Sequence, residues 1–478
     1  MSRYSDRLEA LRKAVGERRD AARPDIVTRI HDKGRMTAAE RMQLLADPGS
    51  SVPYGRIAAA SLDAAETPWV AETGGLDAIC TIDGQPAVIS STDYSDSGGG
   101  YGAARIGRLL ALAKQHRWPL VAFVDGGGSR ARHPRAGLGH IELSGAIGPY
   151  TVFDGMAELS GWVPTISIVS GPSFAGHASI AGFSDIVIAT RDSAIGMGGP
   201  PMVEAALGKR LTPQELSSAE MQYANGGMEV LVTDETTAVA TAKRCLAYWL
   251  DSGVPEQNQE SWHNPVQEDE PYDMLQVIDN LVDADSFLQL RAPFARSVIV
   301  GLARLGGRSI GILATNPRHH DGIIDEFGAQ KLSRHIELCN AWQLPIVSLI
   351  DTQGTCNRWV AKDKSVTFEP GQSRMHARCI NAHQRREVPL LAVQLRHGRG
   401  LAPALLTGYS TGVSVPPVAL AWHSVELNRA DGYALVRDAN AFDDIIEPGD
   451  TRARLLRVLK LLPKMPRPAQ KPHAVDSW

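Results

Sequence analysis

The sequence predicts an α/β protein of two tandem domains related by internal duplication, and three features carry that prediction. A short β-branched run, Thr165 to Val169, is cut by Gly171 and Pro172, and a small-residue run, Ala175 to Gly182, then leads away at helical spacing. The later half repeats the pattern, with Val388 to Leu395 running into Arg396-His397-Gly398-Arg399-Gly400-Leu401-Ala402. Landmarks of the two halves also keep a nearly constant separation. Gly84 and Gly307 lie 223 residues apart, Pro119 and Pro345 226, Asp125 and Asp351 226, and Pro164 and Pro389 225.

The elements follow in order. Residues 3 to about 46 read as helical, with Leu8, Leu11 and Val15 on one face, Thr37 as an N-cap and Glu40 at the capping-box position; Asp47-Pro48-Gly49 is the stop signal. Leu76 to Ser91 forms a hairpin turning at Asp83-Gly84. A glycine-rich segment, 97–102, precedes a helix from Ala103 to His116, a strand from Pro119 to Asp125, and the loop Gly126-Gly127-Gly128-Ser129-Arg130. In the second half a hairpin over 298–314 turns at Gly306-Gly307, a helix runs from Ala329 to Trp342, and a strand from Pro345 to Asp351 enters the loop Thr352 to Thr355. The domain boundaries expected are 1–255, with its helical lead-in 1–50, an acidic Pro-punctuated linker 256–272, a second domain 273–462, and a tail 463–478. That tail has little to bury and either wraps a surface or is disordered.

Composition narrows the function. The net charge of −4 supplies no basic stripe, so no nucleic-acid partner is expected. No run reaches the roughly 18 to 20 apolar residues of a membrane span, and the charged start M-S-R-Y-S-D-R-L-E is no secretory signal. Five scattered cysteines without a C-x-x-C pair exclude a zinc ribbon and suggest reduced thiols in the cytoplasm; no metal is expected.

Strand, tight turn and helix start leave the first helical N–H groups unpaired, where the helix dipole adds partial positive charge. Small side chains there let a ligand oxygen approach the peptide, as an oxyanion hole requires. The repeat puts Ala175-Gly176 opposite Gly400-Leu401 and so supplies two such sites.

Several segments carry a resemblance: H-D-K-G-R-M-T-A-A-E-R-M-Q-L-L-A-D-P-G-S (31–50), D-G-G-G-S-R (125–130), G-P-S-F-A-G-H-A (171–178), G-G-P-P-M-V-E-A-A-L-G (198–208), P-Y-D-M-L-Q-V-I (271–278) and D-D-I-I-E-P-G-D-T-R (443–452). With them the chain resembles the carboxyltransferase β-subunits of biotin-dependent acyl-CoA carboxylases, of the propionyl-CoA and methylcrotonyl-CoA type, which have the crotonase-like fold. The resemblance implies two crotonase-like ββα-superhelix domains and a hexamer made of two trimers. Acyl-CoA would bind the first half of one subunit, and biotin the second half of its neighbour. A carboxyl group would pass from N-carboxybiotin to the carbon α to a thioester. One oxyanion hole, at Ala175 and Gly176, would hold the enolate; the other, at Gly400, Leu401 and Ala402, would hold the ureido oxygen. Gly126 to Arg130 would border the CoA, with Arg130 on a phosphate. No A-M-K-M motif occurs, so the biotin carrier and biotin carboxylase would be separate chains.

The chain also departs from that family. Gly400-Leu401-Ala402-Pro403 replaces a Gly-Gly-Ala or Gly-Ala-Gly run followed by Tyr, Asp351-Thr352-Gln353-Gly354-Thr355 lacks the family's proline, and a long helical hairpin is missing after Ala421-Trp422. Histidines stand at unusual places: His177 beside the first hole, His397 beside the second, and the pair His319-His320. Imidazole titrates near neutral pH, so one of them could serve as an acid or base in place of biotin. Two alternatives therefore stand beside the carboxyltransferase: a biotin-independent crotonase-fold enzyme acting on a CoA thioester (decarboxylase, hydratase, hydrolase or C–C lyase), and an inactive subunit paired with an active paralogue in a hetero-oligomer.

Overall fold

The computed structural model describes residues 3–55, 57–59, 69–71, 74–99, 103–127, 152–252, 264, 266, 270–355, 371–408, 416–426 and 441–476. The chain divides into two compact units, Met1–Tyr223 with Gly227–Leu246, and Ala247–Asp476 with Ala224–Gly226. The division falls inside the helix Glu235–Leu250, earlier than the expected 255. Its last turn belongs to the second unit: the Tyr248 hydroxyl donates to Ser286 O, and Asp251 Oδ1 accepts from the Ser309 amide at 2.8 Å.

In the first unit the strands are β1 (Val52–Tyr54), β2 (Ile57–Ala59), β3 (Trp69–Ala71), β4 (Gly75–Ile82), β5 (Gln85–Thr92), β6 (Leu120–Phe123), β7 (Thr165–Val169), β8 (Pro172–Phe174), β9 (Ile186–Thr190), β10 (Ala194–Gly196) and β11 (Val230–Val232). Seven of them form a sheet ordered β1-β4-β5-β6-β7-β9-β11, antiparallel up to β5 and parallel beyond. The second unit has β12 (Leu288–Leu290), β13 (Val298–Leu305), β14 (Arg308–Thr315), β15 (Ile346–Thr352), β16 (Leu390–Gly398), β17 (Ala419–Trp422) and β18 (Asp444–Ile446), ordered β12-β13-β14-β15-β16-β17-β18. Its pairing repeats the first sheet position by position, two antiparallel ladders and then four parallel ones.

Small devices repeat too. Both hairpins close through two-residue turns with positive φ, Asp83-Gly84 and Gly306-Gly307, the geometry that matches strand twist. An aspartate clamps each turn from the preceding segment. Asp47 accepts from the Asp83 and Gly84 amides at 2.9 and 2.8 Å, and Asp283 from the Gly306 and Gly307 amides at 2.9 and 2.7 Å. Further on, Gly99 and Gly322 both have positive φ, and a Cβ on either would strike the carbonyl of the strand-end aspartate, Asp125 or Asp351. Only glycine fits there.

The central parallel strands β6, β7, β9 and β15 are buried along their whole length, as a sheet covered on both faces requires. In the second unit the helix Glu326–Ala341 is buried at every residue but Phe327, and Trp422 is fully enclosed with its Nε1 on Thr451 Oγ1 at 2.9 Å.

Two expectations are revised, and the tail takes the first of its two expected forms. The lead-in is a series of short helices, Arg3–Gly16, Pro24–His31 and Ala38–Leu45, because Pro24 and the extended Thr37 cap interrupt it. Strand β16 runs on to Gly398, since Asp351 binds the His397 amide and keeps the chain extended. The tail is ordered through Asp476 and wraps the second unit: Lys464 pairs with Asp251 at 2.6 Å, Arg467 lies 4.0 Å above the Trp249 ring, and the Asp476 amide donates to Glu337 at 3.0 Å. Among the described residues no helix is long and apolar enough to cross a membrane.

Asp283 also pairs with Arg452 at 2.6 Å and is buried. Asp283→Ala strands two turn amides and a cation, so chemical denaturation should register a loss of roughly 2–4 kcal/mol, with Asp283→Asn retaining part of it.

Candidate active site

The site in the first unit is organised by Asp125, just past β6 at the carboxyl ends of the parallel strands. Its carboxylate accepts from the Ser170 and Gly171 amides at 3.0 and 2.9 Å, from Ser170 Oγ at 3.1 Å, and from the Arg41 guanidinium at 2.7 Å. Burial alone would push the Asp125 carboxyl up; Arg41 and the Ser170 amide outweigh it and hold the pKa below the usual carboxylate range. Arg41 projects from the helix Ala38–Leu45, which the Thr37–Glu40 capping box starts, and donates its Nε to Glu235 at 3.0 Å. Burial opposes its charge, but Asp125 and Glu235 more than compensate and raise its pKa above the ordinary value.

This brace fixes the turn after β7. Gly171 has no room for a side chain, since a Cβ would come within 2.9 Å of the Arg35 guanidinium and 3.0 Å of Asp125. The chain then pairs β8 with β10, and Gly126 bridges to Ser173. Ala175, at φ 54° and ψ −119°, turns it into the helix Gly176–Phe183. That backbone is costly for any residue with a Cβ, and such strain collects at functional sites. One detail corrects the expected hole. The Ala175 amide already donates to Gly196 O at 3.1 Å, closing the β8–β10 ladder, so of the expected pair only Gly176 brings an N–H to the helix start.

His177 is pinned. Its Nε2 meets Gly99 O at 2.7 Å, and its ring fills the space where a Cβ on Gly126 would sit. Burial lowers its pKa, despite the Gly99 carbonyl and the Asp125 charge, so the ring is neutral at pH 7. Gly127 lies beside the Tyr94 hydroxyl. Gly128, Ser129 and Arg130 lie outside the described residues.

The second unit builds the same frame from other side chains. Buried Asp351 accepts from the Tyr272 hydroxyl and Arg396 Nε on one oxygen, both at 2.8 Å. On the other it meets the His397 amide and His397 Nδ1, both at 3.1 Å. Burial and then the Asp351 charge push the Tyr272 hydroxyl well above its ordinary value, so it stays a donor. The His397 amide binds Asp351 as the Gly171 amide binds Asp125, and the His397 Nε2 reaches Glu426 Oε1 at 2.8 Å. Gly400, with φ 62°, matches Ala175 and leads through Leu401 into the helix Ala402–Thr407. Pro403 brings no N–H, which leaves the Gly400, Leu401 and Ala402 amides ahead of the first helical bonds. The Leu401 side chain is exposed. His319 and His320 sit at the turn His320–Gly322, whose glycine lies against the Asp351 carbonyl.

With this geometry in place, comparison with known proteins is decisive about class. Residues 29–415 match the carboxyl transferase domain, and the chain belongs to that family. It is 27% identical to the carboxyltransferase subunit of propionyl-CoA carboxylase from Haloferax mediterranei, over 96% of both chains. It is 26% identical to the methylmalonyl-CoA carboxyltransferase 12S subunit of Propionibacterium freudenreichii subsp. shermanii, covering 98% of this chain and 96% of that one. Among solved structures it resembles transcarboxylase 12S, described as a hexamer, with TM-score 0.78 at 26% identity over 93% of each chain. It also resembles a single-chain, multi-domain long-chain acyl-CoA carboxylase, with TM-score 0.77 at 29% identity; there it covers 94% of itself and 48% of the larger chain. The crotonase-like fold with two domains stands.

Sequence reasoning missed Arg41, Glu235, Tyr272 and Glu426. Arg41 and Tyr272 lie within the family-like segments 31–50 and 271–278, and for Arg41 its place in a capped helix beside a stop signal was a further clue; nothing local marked Glu235 or Glu426.

Arg41→Met leaves Asp125 and Glu235 buried without their cation and should cost roughly 3–5 kcal/mol in urea melts. Asp125 has its pKa lowered by folding, so the stability it contributes is full above the unfolded value near 3.9 and is lost as pH falls through the folded one. The variant's deficit should therefore shrink as pH falls toward and below about 4; a deficit unchanged down to pH 3 contradicts the assignment.

Proposed function

We propose that the protein is an acyl-CoA carboxyltransferase that moves a carboxyl group from N-carboxybiotin, on a separate carrier, to the α-carbon of an acyl-CoA. The observation that carries this reading is the matched pair of braced strand-to-helix turns, one per unit. Releasing the carboxyl group places negative charge on the ureido oxygen of biotin, which takes up the α-proton, and losing that proton places negative charge on the thioester oxygen before its α-carbon bonds the carboxyl group. Each oxyanion needs backbone donors set in advance. Gly176 serves the thioester oxygen, and Gly400, Leu401 and Ala402 the ureido oxygen. The loop beginning at Gly126 and Gly127 and continuing through Gly128, Ser129 and Arg130 borders the CoA. His177 is a positioning residue that ties the Gly99 and Gly126 turns together. The partners are a biotin carboxylase and carrier, and the assembly is a hexamer of the transcarboxylase kind or a hetero-oligomer with a paralogue. In support, the helix Pro200–Leu207 buries none of its residues, and Met197, Met202 and Leu207 lie exposed around it as a face for another subunit.

One observation favours a second reading. Pro403 deletes a donor from the biotin-side turn while His397 stands beside it, a combination suited to a biotin-independent enzyme that stabilises an enolate and moves the proton with imidazole.

Reconstitution separates the two. With biotin carboxylase, biotinylated carrier, ATP and bicarbonate, propionyl-CoA or acetyl-CoA should gain a carboxyl group, and nothing should form without the carrier. Turnover of a CoA ester in a biotin-free sample, reduced roughly a hundredfold by His397→Ala, would establish the second reading instead.

A further inference from the structure

We propose that the end of β16 in the second unit is a binding site for a small carboxylate or bicarbonate anion, and that Glu426 occupies it as an internal substitute for the ligand. One Glu426 carboxylate lies across two donors, His397 Nε2 at 2.8 Å and the Arg399 guanidinium at 3.1 Å. A planar anion with two oxygens reproduces both contacts atom for atom.

Of the two donors His397 is held firmly, at 14% side-chain exposure, while Arg399 is 59% exposed and tied through its backbone. His397 is fixed by Asp351 through its amide and Nδ1, and Asp351 is fixed in turn by Tyr272 and Arg396. The Arg399 amide donates to Thr352 O at 3.2 Å. Carboxylate oxygens only accept, so a ring meeting one on each side presents N–H on both, and Nε2 faces outward as a donor. Glu426 is tied through its backbone, whose amide donates to Arg396 O at 3.0 Å, while its side chain remains 55% exposed. Partial burial would raise its pKa, but Arg399 and His397 draw it below the usual carboxylate range. Exposed ion pairs contribute little, so a competing anion has little to displace.

In the first unit the Arg35 guanidinium lies close to Asp125 across Gly171, and the exposed carboxylate of Asp192 stands 3.8 Å from it. The inference rests on the side chains of the second unit alone and is independent of the acyl-CoA reading.

The test is calorimetric titration of the full chain and of E426Q with bicarbonate and, separately, with malonate. Removing the internal competitor should tighten binding of at least one anion about twofold to fivefold. The double variant E426Q/R399M should lose that gain. Tightening for bicarbonate alone identifies the free inorganic ion, and tightening for malonate alone a carboxylate carried on carbon. Equal affinity of the full chain and E426Q for both anions, including no binding by either, overturns the proposal, as does a gain that survives R399M. Circular dichroism and melting establish that each variant folds, and E426S replaces E426Q under the same criteria if the glutamine variant does not.

Discussion

A buried carboxylate at the end of a parallel strand is the constraint on which each unit depends. Asp125 and Asp351 take the same place; Asp125 accepts two amides of the turn after the next strand, and Asp351 one amide at the end of its next strand. An ionised group so enclosed persists only when cations and N–H groups surround it. Meeting that demand fixes where the chain leaves the sheet, and therefore where the next helix begins and which way its first amides face. Chemistry at the helix start is a consequence of the brace.

The two copies satisfy the constraint differently. In the first, the cation comes from far away in sequence: Arg41 reaches Asp125 across 84 residues and Glu235 across 194. In the second, Arg396 comes from the strand that makes the turn, and Tyr272 completes the shell. The histidines diverge accordingly. His177 is buried and neutral, packed as a spacer between glycines, whereas His397 sits near the surface between two carboxylates.

Much of this was legible in the sequence because duplication leaves a regular trace. A shift of 223 to 226 residues between glycines, prolines and aspartates anticipated two sheets with the same strand order, and the Asp-Gly and Gly-Gly pairs located both hairpins. Local signals failed where long-range contacts decide. The lead-in was legible as helical and its Thr37–Glu40 cap was anticipated, but not the break before Pro24, nor that an arginine in its last piece enters the core. No spacing rule reveals that Glu235 or Tyr272 completes a buried ion cluster. Nor could a strand–turn–helix pattern show that the Ala175 amide closes a ladder with Gly196, since β10 lies in a later segment.

The central claim is that each brace serves its own half of the reaction. Steady-state kinetics of Asp125→Asn and Asp351→Asn, varying acyl-CoA and biotinylated carrier in turn, test it most directly. Asp125→Asn should lower kcat/KM for acyl-CoA by roughly tenfold or more while the carrier KM holds, and Asp351→Asn should do the reverse. Indistinguishable effects of the two substitutions on both substrates would contradict the account.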